Sequence, residues 1–168
     1  MTETLSSDLP DGLQERILRV LERACDEGIL LATAESCTGG LLASLLTDVD
    51  GCSHAFDRGF VVYTDEAKRQ MLGVPADMLE RHSAVSKPVA IAMAEGAIAS
   101  SSAEIAVSIT GFAGPGGEGA EEGLVHFGCA RRGRETVHRE ERFGALGRGG
   151  VRLRCIETGV TLYEEMMT

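Results

Sequence analysis

The chain has 168 residues, 43% hydrophobic and 25% charged, with a formal net charge of −10. That length fits one domain and buries enough surface to fold without disulfide or metal staples. The acidic balance excludes a nucleic-acid binder, which needs clustered Lys and Arg against phosphate, and no apolar run approaches the ~20 residues of a membrane helix.

Residues 1–9 are predicted to be a flexible tail ahead of a single domain over 10–168. Leu13, Ile17, Leu18, Leu21 and Ala24 recur at helical spacing, so residues 11–27 are predicted helical, with Asp8 or Asp11 as cap and Gly28 as stop. Residues 29–34 form a short apolar run suited to a buried strand. The loop ESCTGG follows, then a predicted helix over 41–48 that Thr38 can cap. Residues 59–64 (GFVVYT) look like a strand. Asp65 opens another helix, which Gly73-Val74-Pro75 ends. Pro88 suits the first turn of an Ala-rich helix reaching Ser100. A second buried strand is predicted over 105–109, and a Gly-rich loop, GFAGPGGEG, comes next. Residues 124–130 and 135–142 alternate about Arg131-Arg132-Gly133-Arg134 as a β-hairpin, and residues 150–167 close as a helix. Helices and strands alternate, with one hairpin near the end. This predicts an α/β fold, a three-layer α/β/α sandwich on a mixed sheet.

The cysteines Cys25, Cys37, Cys52, Cys129 and Cys155 are odd in number and lack CxxC spacing. They read as reduced thiols, not a disulfide framework or zinc site. The segment MTETLSSDLPDG has neither the basic nor the apolar region of a signal peptide, so the expected location is the cytoplasm. No metal and no cofactor is expected, since no HExxH, paired Cys or carboxylate cluster occurs at ligand spacing.

Four segments can carry chemistry. Ser36 sits where a predicted strand meets a predicted helix. There it can attack a carbonyl while the following amides, from Cys37 to Gly40, meet the oxyanion; equally, Ser36 and Thr38 can serve as plain helix caps. Cys37 is a rival nucleophile without a nearby His. Tyr63 and Lys68 lie five residues apart across a strand–helix junction. A Lys with a depressed pKa can replace His as the base, with a Tyr hydroxyl bridging amine and serine; alone, each reads as a surface or strand residue. His54, His82, His126 and His138 fall in loops or on hairpin strands and form no better triad. The 110–117 loop, with Thr110, Gly111 and Gly114, can approach a ligand with bare backbone, but it is neither a Walker motif nor a dinucleotide fingerprint. Finally, Arg148, Arg152 and Arg154 stand near the last helix, where guanidinium groups can grip a phosphate; Arg152 is the first choice, helped by Arg148 or by amides of the 110–117 loop.

Together, AESCTGG at 34–40, FDRGFVVYTDEAKRQMLGV at 56–74, HSAVS at 82–86 and SITGFAGPGG at 108–117 resemble the CinA C-terminal-domain family in order and spacing, over residues 13–166. The resemblance implies a three-layer sandwich and an amidase that converts nicotinamide mononucleotide to nicotinic acid mononucleotide and ammonia. It implies Ser36, Tyr63 and Lys68 as catalytic residues, and Thr110 as the threonine of the second loop. Cys37, Thr38, Gly39, Gly40, Gly111, Gly114, Arg148 and Arg152 are the expected substrate-binding residues. The sequence departs from the family pattern at GEGAEEGLVHFG and at ALGRGGVRLR (145–154), both expected substrate walls. The separate N-terminal domain of longer members is not expected, nor its pyrophosphatase activity. The alternatives are a catalytically silent nucleotide-binding or regulatory domain of the same fold, and a different amide or ester hydrolase using the same serine. The expected partner is a small nucleotide, and a homodimer is the default assembly.

Overall fold

A computed structural model describes residues 9–168. Of the tail predicted over 1–9, all but Leu9 therefore lies outside the described residues.

Five strands pair into one sheet in the order β2-β1-β3-β4-β5. Its centre is β1 (Leu31–Glu35), every residue of which is buried. β1 runs parallel to β2 (Phe56–Val61) on one side and to β3 (Ile105–Gly111) on the other. Strands β4 (Leu124–Arg131) and β5 (Val137–Arg142) add an antiparallel hairpin to the β3 edge. Parallel strands buried on both faces read as continuous apolar runs, which is why β1 and β3 were recognisable in the sequence.

Side chains alternate across each strand and so feed two cores. Leu31, Ile105, Val107, Ile109 and Phe127 face α1 (Leu13–Glu27), α2 (Leu41–Leu46) and α6 (Gly147–Met166). Ala32, Ala34 and Ala106 face α3 (Asp65–Leu72), α4 (Ala76–His82) and α5 (Lys87–Ala99). The fold is the predicted three-layer α/β/α sandwich with a mixed sheet. The small residues of the second core let its helices approach closely: a Cβ on Gly96 would collide with the Leu72 carbonyl oxygen, where α5 crosses α3. On the opposite layer, the buried Tyr163 hydroxyl of α6 donates to the Ala32 carbonyl and fastens that helix to the central strand.

Several boundaries differ from expectation. α1 is preceded by Gly12 in the left-handed region, without a side-chain cap, so Asp11 does not cap it; Asp8 is outside the described residues. Gly28 does end it, its N–H returning to the Ala24 and Cys25 carbonyls. The second strand pairs over Phe56–Val61 instead of 59–64, because register with β1 decides its limits and not its apolar content. A short helix, α4, follows Pro75 where none was predicted. α6 begins three residues before the predicted start: a Gly-rich first turn reads poorly as helix, and the helix nevertheless forms there.

Candidate active site

The chain leaves β1 toward α2 on one face, and reaches β3 only after crossing the other face through α3, α4 and α5. Between β1 and β3 the connections therefore diverge to opposite sides, and a crevice opens at the carboxyl ends of the parallel strands. Ser36 follows β1, Tyr63 and Lys68 follow β2, and Thr110 lies near the end of β3.

The turn after β1 is held from several directions. Ser36 N–H donates to the Ile109 carbonyl at 2.9 Å and Gly39 N–H to the Ser36 carbonyl at 3.1 Å. Gly39 and Gly40 sit at φ 60 and 94, a left-handed pair that residues with a Cβ adopt poorly. Arg152 Nε of α6 donates to the Cys37 carbonyl at 2.9 Å. Neither Ser36 nor Thr38 caps α2. Gly40 is its N-cap residue, with no side-chain cap, and the free amides are met by Glu35. Its buried carboxylate accepts from Leu42 N at 2.9 Å, from Ala43 N at 3.0 Å and from the Thr38 hydroxyl at 2.7 Å. The partial positive charge at the start of α2 is thus met by Glu35. The one sequence signal for this is an acidic residue closing a strand otherwise made of Leu, Ala and Thr.

Lys68 is not a solvated helix residue. It is 1% exposed on the inner face of α3. Its Nζ lies 3.1 Å from Ser36 Oγ, 3.0 Å from the Val62 carbonyl oxygen and 3.3 Å from that of Tyr63. Burial pulls its pKa below the ordinary lysine value, against a smaller opposing pull from Asp65 and Cys37. α3 holds this position through Thr64, whose hydroxyl accepts from Ala67 N at 3.0 Å, and through Gly73, which closes the helix in the left-handed region.

The amine meets the serine directly, so the Tyr63 hydroxyl does not bridge them; Lys68 reaches Tyr63 only through its main-chain carbonyl. The Tyr63 side chain is 67% exposed. It lines a cavity of about 320 Å3 together with Ser36, Cys37 and Lys68 on one side and residues 110–116 on the other. That is the lower end of the range for small-molecule sites. Thr110 is buried, and its hydroxyl donates to the Ala84 carbonyl at 2.9 Å, tying the Gly-rich loop to the segment before α5. Gly111 and Gly114 also line the cavity.

The expected phosphate ligands separate. Arg148 lines the cavity, its guanidinium lying over Gly114, where a Cβ would stand 3.1 Å away. Arg152 does not line it and instead holds the Cys37 carbonyl from below. Thr38, Gly39 and Gly40 also shape the turn without lining the cavity. Their signals in the sequence were structural ones. Cys37 does line it but is 4% exposed, and its thiol pairs with that of Cys155, whose pKa is driven up by that hydrogen bond and by burial. Among the described residues no histidine lines the cavity. His126 and His138 are paired with each other, Nδ1 to Nε2, at 2.9 Å.

Comparison with known proteins places the chain in a family. The CinA C-terminal domain family profile matches residues 13–167. A nicotinamide-nucleotide amidohydrolase PncC of Escherichia coli K12 is 50% identical over 119 residues, which cover 69% of this chain and 72% of that protein. A CinA-like protein of Akkermansia muciniphila is 55% identical over 107 residues, 62% of this chain but only 26% of that longer protein. The crystal structure of the competence/damage inducible protein CihA from Agrobacterium tumefaciens superposes with a TM-score of 0.93 at 39% identity, covering 100% of both chains. The nucleophile-like turn, the buried lysine and the Gly-rich loop thus stand in a chain that belongs to the CinA C-terminal domain family.

Proposed function

We propose that this chain is an amidohydrolase that converts nicotinamide mononucleotide to nicotinic acid mononucleotide and ammonia, with Ser36 as nucleophile and Lys68 as its base. The observation that carries this reading is the buried 3.1 Å approach of Lys68 Nζ to Ser36 Oγ at the cavity wall. The 50% identity to a nicotinamide-nucleotide amidohydrolase supplies the substrate.

A neutral Lys68 amine has two hydrogens, and the Val62 and Tyr63 carbonyls can take both. The lone pair is then left for the Ser36 hydroxyl. As Ser36 Oγ bonds to the carboxamide carbon, its proton passes to Lys68 Nζ, and the carbonyl oxygen becomes an oxyanion. The N–H groups of Cys37 and Thr38 follow the nucleophile on the turn, and we assign them to that oxyanion; the Cys37 N–H must then leave its own thiol, which it meets in the free protein. The intermediate collapses by breaking the C–N bond, and Lys68 returns its proton to the departing nitrogen, giving ammonia. Water then attacks the Ser36 ester, again losing its proton to Lys68, which restores the serine as the acid leaves. Tyr63, at the cavity mouth, offers its ring and hydroxyl to the bound pyridine. Arg148 faces the nucleotide phosphate. We place the reaction in the cytoplasm, where five free thiols persist reduced.

The test is ammonia release by the purified chain from nicotinamide mononucleotide, with Ser36→Ala as control. The expected result is turnover by the wild type and its loss by several orders of magnitude in the variant, with the fold retained. Binding of the mononucleotide without ammonia release would leave the silent binding domain as the correct reading. Near-native activity in Ser36→Ala together with loss in Cys37→Ala would move the nucleophile to Cys37.

A further inference from the structure

We propose that Glu35 is a positioning residue for the Ser36 nucleophile, its buried carboxylate fixing the 36–40 turn in the shape that aims Ser36 at Lys68. The inference rests on the reading of Ser36 as nucleophile and concerns a residue that touches none of the reacting atoms.

Glu35 is 0% exposed at the end of a strand whose other residues are Leu, Ala and Thr. A buried carboxylate is costly unless its oxygens are met by donors. Here Oε1 takes the Thr38 hydroxyl and Leu42 N–H, and Oε2 takes Ala43 N–H. The backbone of Glu35 is meanwhile fixed on both sides in the sheet, opposite Val61 and Ile109. The arc between Glu35 and Thr38 is therefore anchored twice. Its near end is set by strand pairing, and its far end is drawn back by the Thr38 hydroxyl to the same carboxylate. Ser36 lies on that arc. Glu35 points toward α2 while Ser36 Oγ meets Lys68 beyond the opposite face of the strand. An apolar residue at this position could fill the volume but could not tether Thr38 or meet two helix amides. The same tether sets the direction of the Cys37 and Thr38 N–H groups.

The experiment compares Glu35→Gln, Thr38→Val, Thr38→Ser and the Glu35→Gln/Thr38→Val pair in the full chain. Two rates are read: ammonia release from nicotinamide mononucleotide, resolved into kcat and KM, and labelling of Ser36 by a fluorophosphonate, which needs no substrate. Both are normalised to the folded fraction by circular dichroism. Glutamine presents an NH2 where one oxygen accepted an N–H, so at least one bond is lost. Misaiming a reacting group by about 1 Å costs roughly 100-fold. Glu35→Gln should therefore lose about 10- to 100-fold in kcat and in labelling rate, with KM changed less than about 3-fold. Thr38→Val should lose about 10-fold, Thr38→Ser should recover most of that, and the double variant should be no slower than Glu35→Gln, because both act through one turn.

A folded Glu35→Gln with wild-type kcat and labelling rate overturns the proposal, as does a loss confined to KM or to the folded fraction. If Glu35→Gln fails to fold, the Thr38→Val and Thr38→Ser pair decides, with equal rates overturning the tether. A wild type that labels at Ser36 but releases no ammonia refutes the substrate and leaves the labelling comparison in force. A wild type that does not label at all overturns the positioning role together with the nucleophile.

Discussion

Lys68 shows how one side chain changes meaning with its surroundings. On a short polar helix it reads as a solvated cation; in the fold it lies 1% exposed against Ser36. Desolvation disfavours the ammonium, so its pKa falls below the usual lysine value of 10.5. With Lys68 proposed as the base, its neutral form is the active one, and activity should rise as pH climbs through that lowered value. We expect kcat/KM to increase with pH through a group titrating below 10.5, and Lys68→Arg, which cannot readily deprotonate, to be as inactive as Lys68→Ala. The same shift acts on stability. The unfolded lysine holds its proton to higher pH than the folded one, so stability rises between the folded pKa and 10.5. That part of the slope should vanish in Lys68→Met during urea unfolding. A Lys68→Arg variant with substantial turnover would reduce Lys68 to an electrostatic role. The arginines call for a second comparison. Arg148→Ala should weaken binding of the mononucleotide by roughly 10-fold or more while sparing the unphosphorylated riboside, as loss of a charge-assisted contact implies. Arg152→Ala should lower kcat for both, because it supports the Cys37 carbonyl. Calorimetry with both ligands separates the two; the reverse pattern would restore Arg152 as the phosphate ligand. The family resemblance singled out Ser36, Lys68 and Thr110, which the structure brings to one cavity, but charge alone could not tell that Arg148 lines it and Arg152 does not. Glu35 went unseen because two of its three donors are main-chain amides, which leave no trace in residue types, and the third, the Thr38 hydroxyl, reads in sequence as a helix cap.

At the level of elements, pattern served best where burial is simple. The stripe of Leu13, Ile17, Leu21 and Ala24 gave α1, and the apolar runs gave β1 and β3. It failed where long-range partners decide. β2 takes its limits from pairing with β1, α4 is a single short excursion after Pro75, and the left-handed Gly12 and Gly40 precede helices that side chains were expected to cap. The α3–α5 crossing shows the packing logic of the second core. With Gly96 pressed against the Leu72 carbonyl, any Cβ there must push α3 outward. Gly96→Ala, which raises intrinsic helix propensity, should nonetheless destabilise the fold by about 1–3 kcal/mol through overpacking. It should also lower kcat, because α3 carries Lys68. Urea denaturation with parallel assay of ammonia release checks both; a stabilised, fully active variant would show that the crossing can relax.

Across the whole molecule, the net charge of −10 coexists with an arginine at the cavity wall. An acidic protein that binds a phosphate ester needs such a local exception, and here Arg148 in the first turn of α6 is the residue placed to supply it. Among the described residues no helix is long and apolar enough to cross a membrane. Fold class was legible because the alternation of helices and strands allows few right-handed arrangements of a mixed sheet. The place of the site was not, since the crevice exists only once β1 and β3 lie side by side.

That adjacency has a consequence in time. Ser36 N–H is fixed by Ile109, and the Cys37 carbonyl by an arginine 115 positions further along the chain. Such distant closures are slow, because loop entropy is lost before the bonds that reward it form. A folding chain therefore acquires helices and hairpin before the turn that carries Ser36, the proposed nucleophile, is fixed. Until α6 docks, partly folded intermediates are expected to be chemically idle, leaving the ester and amide bonds around them intact.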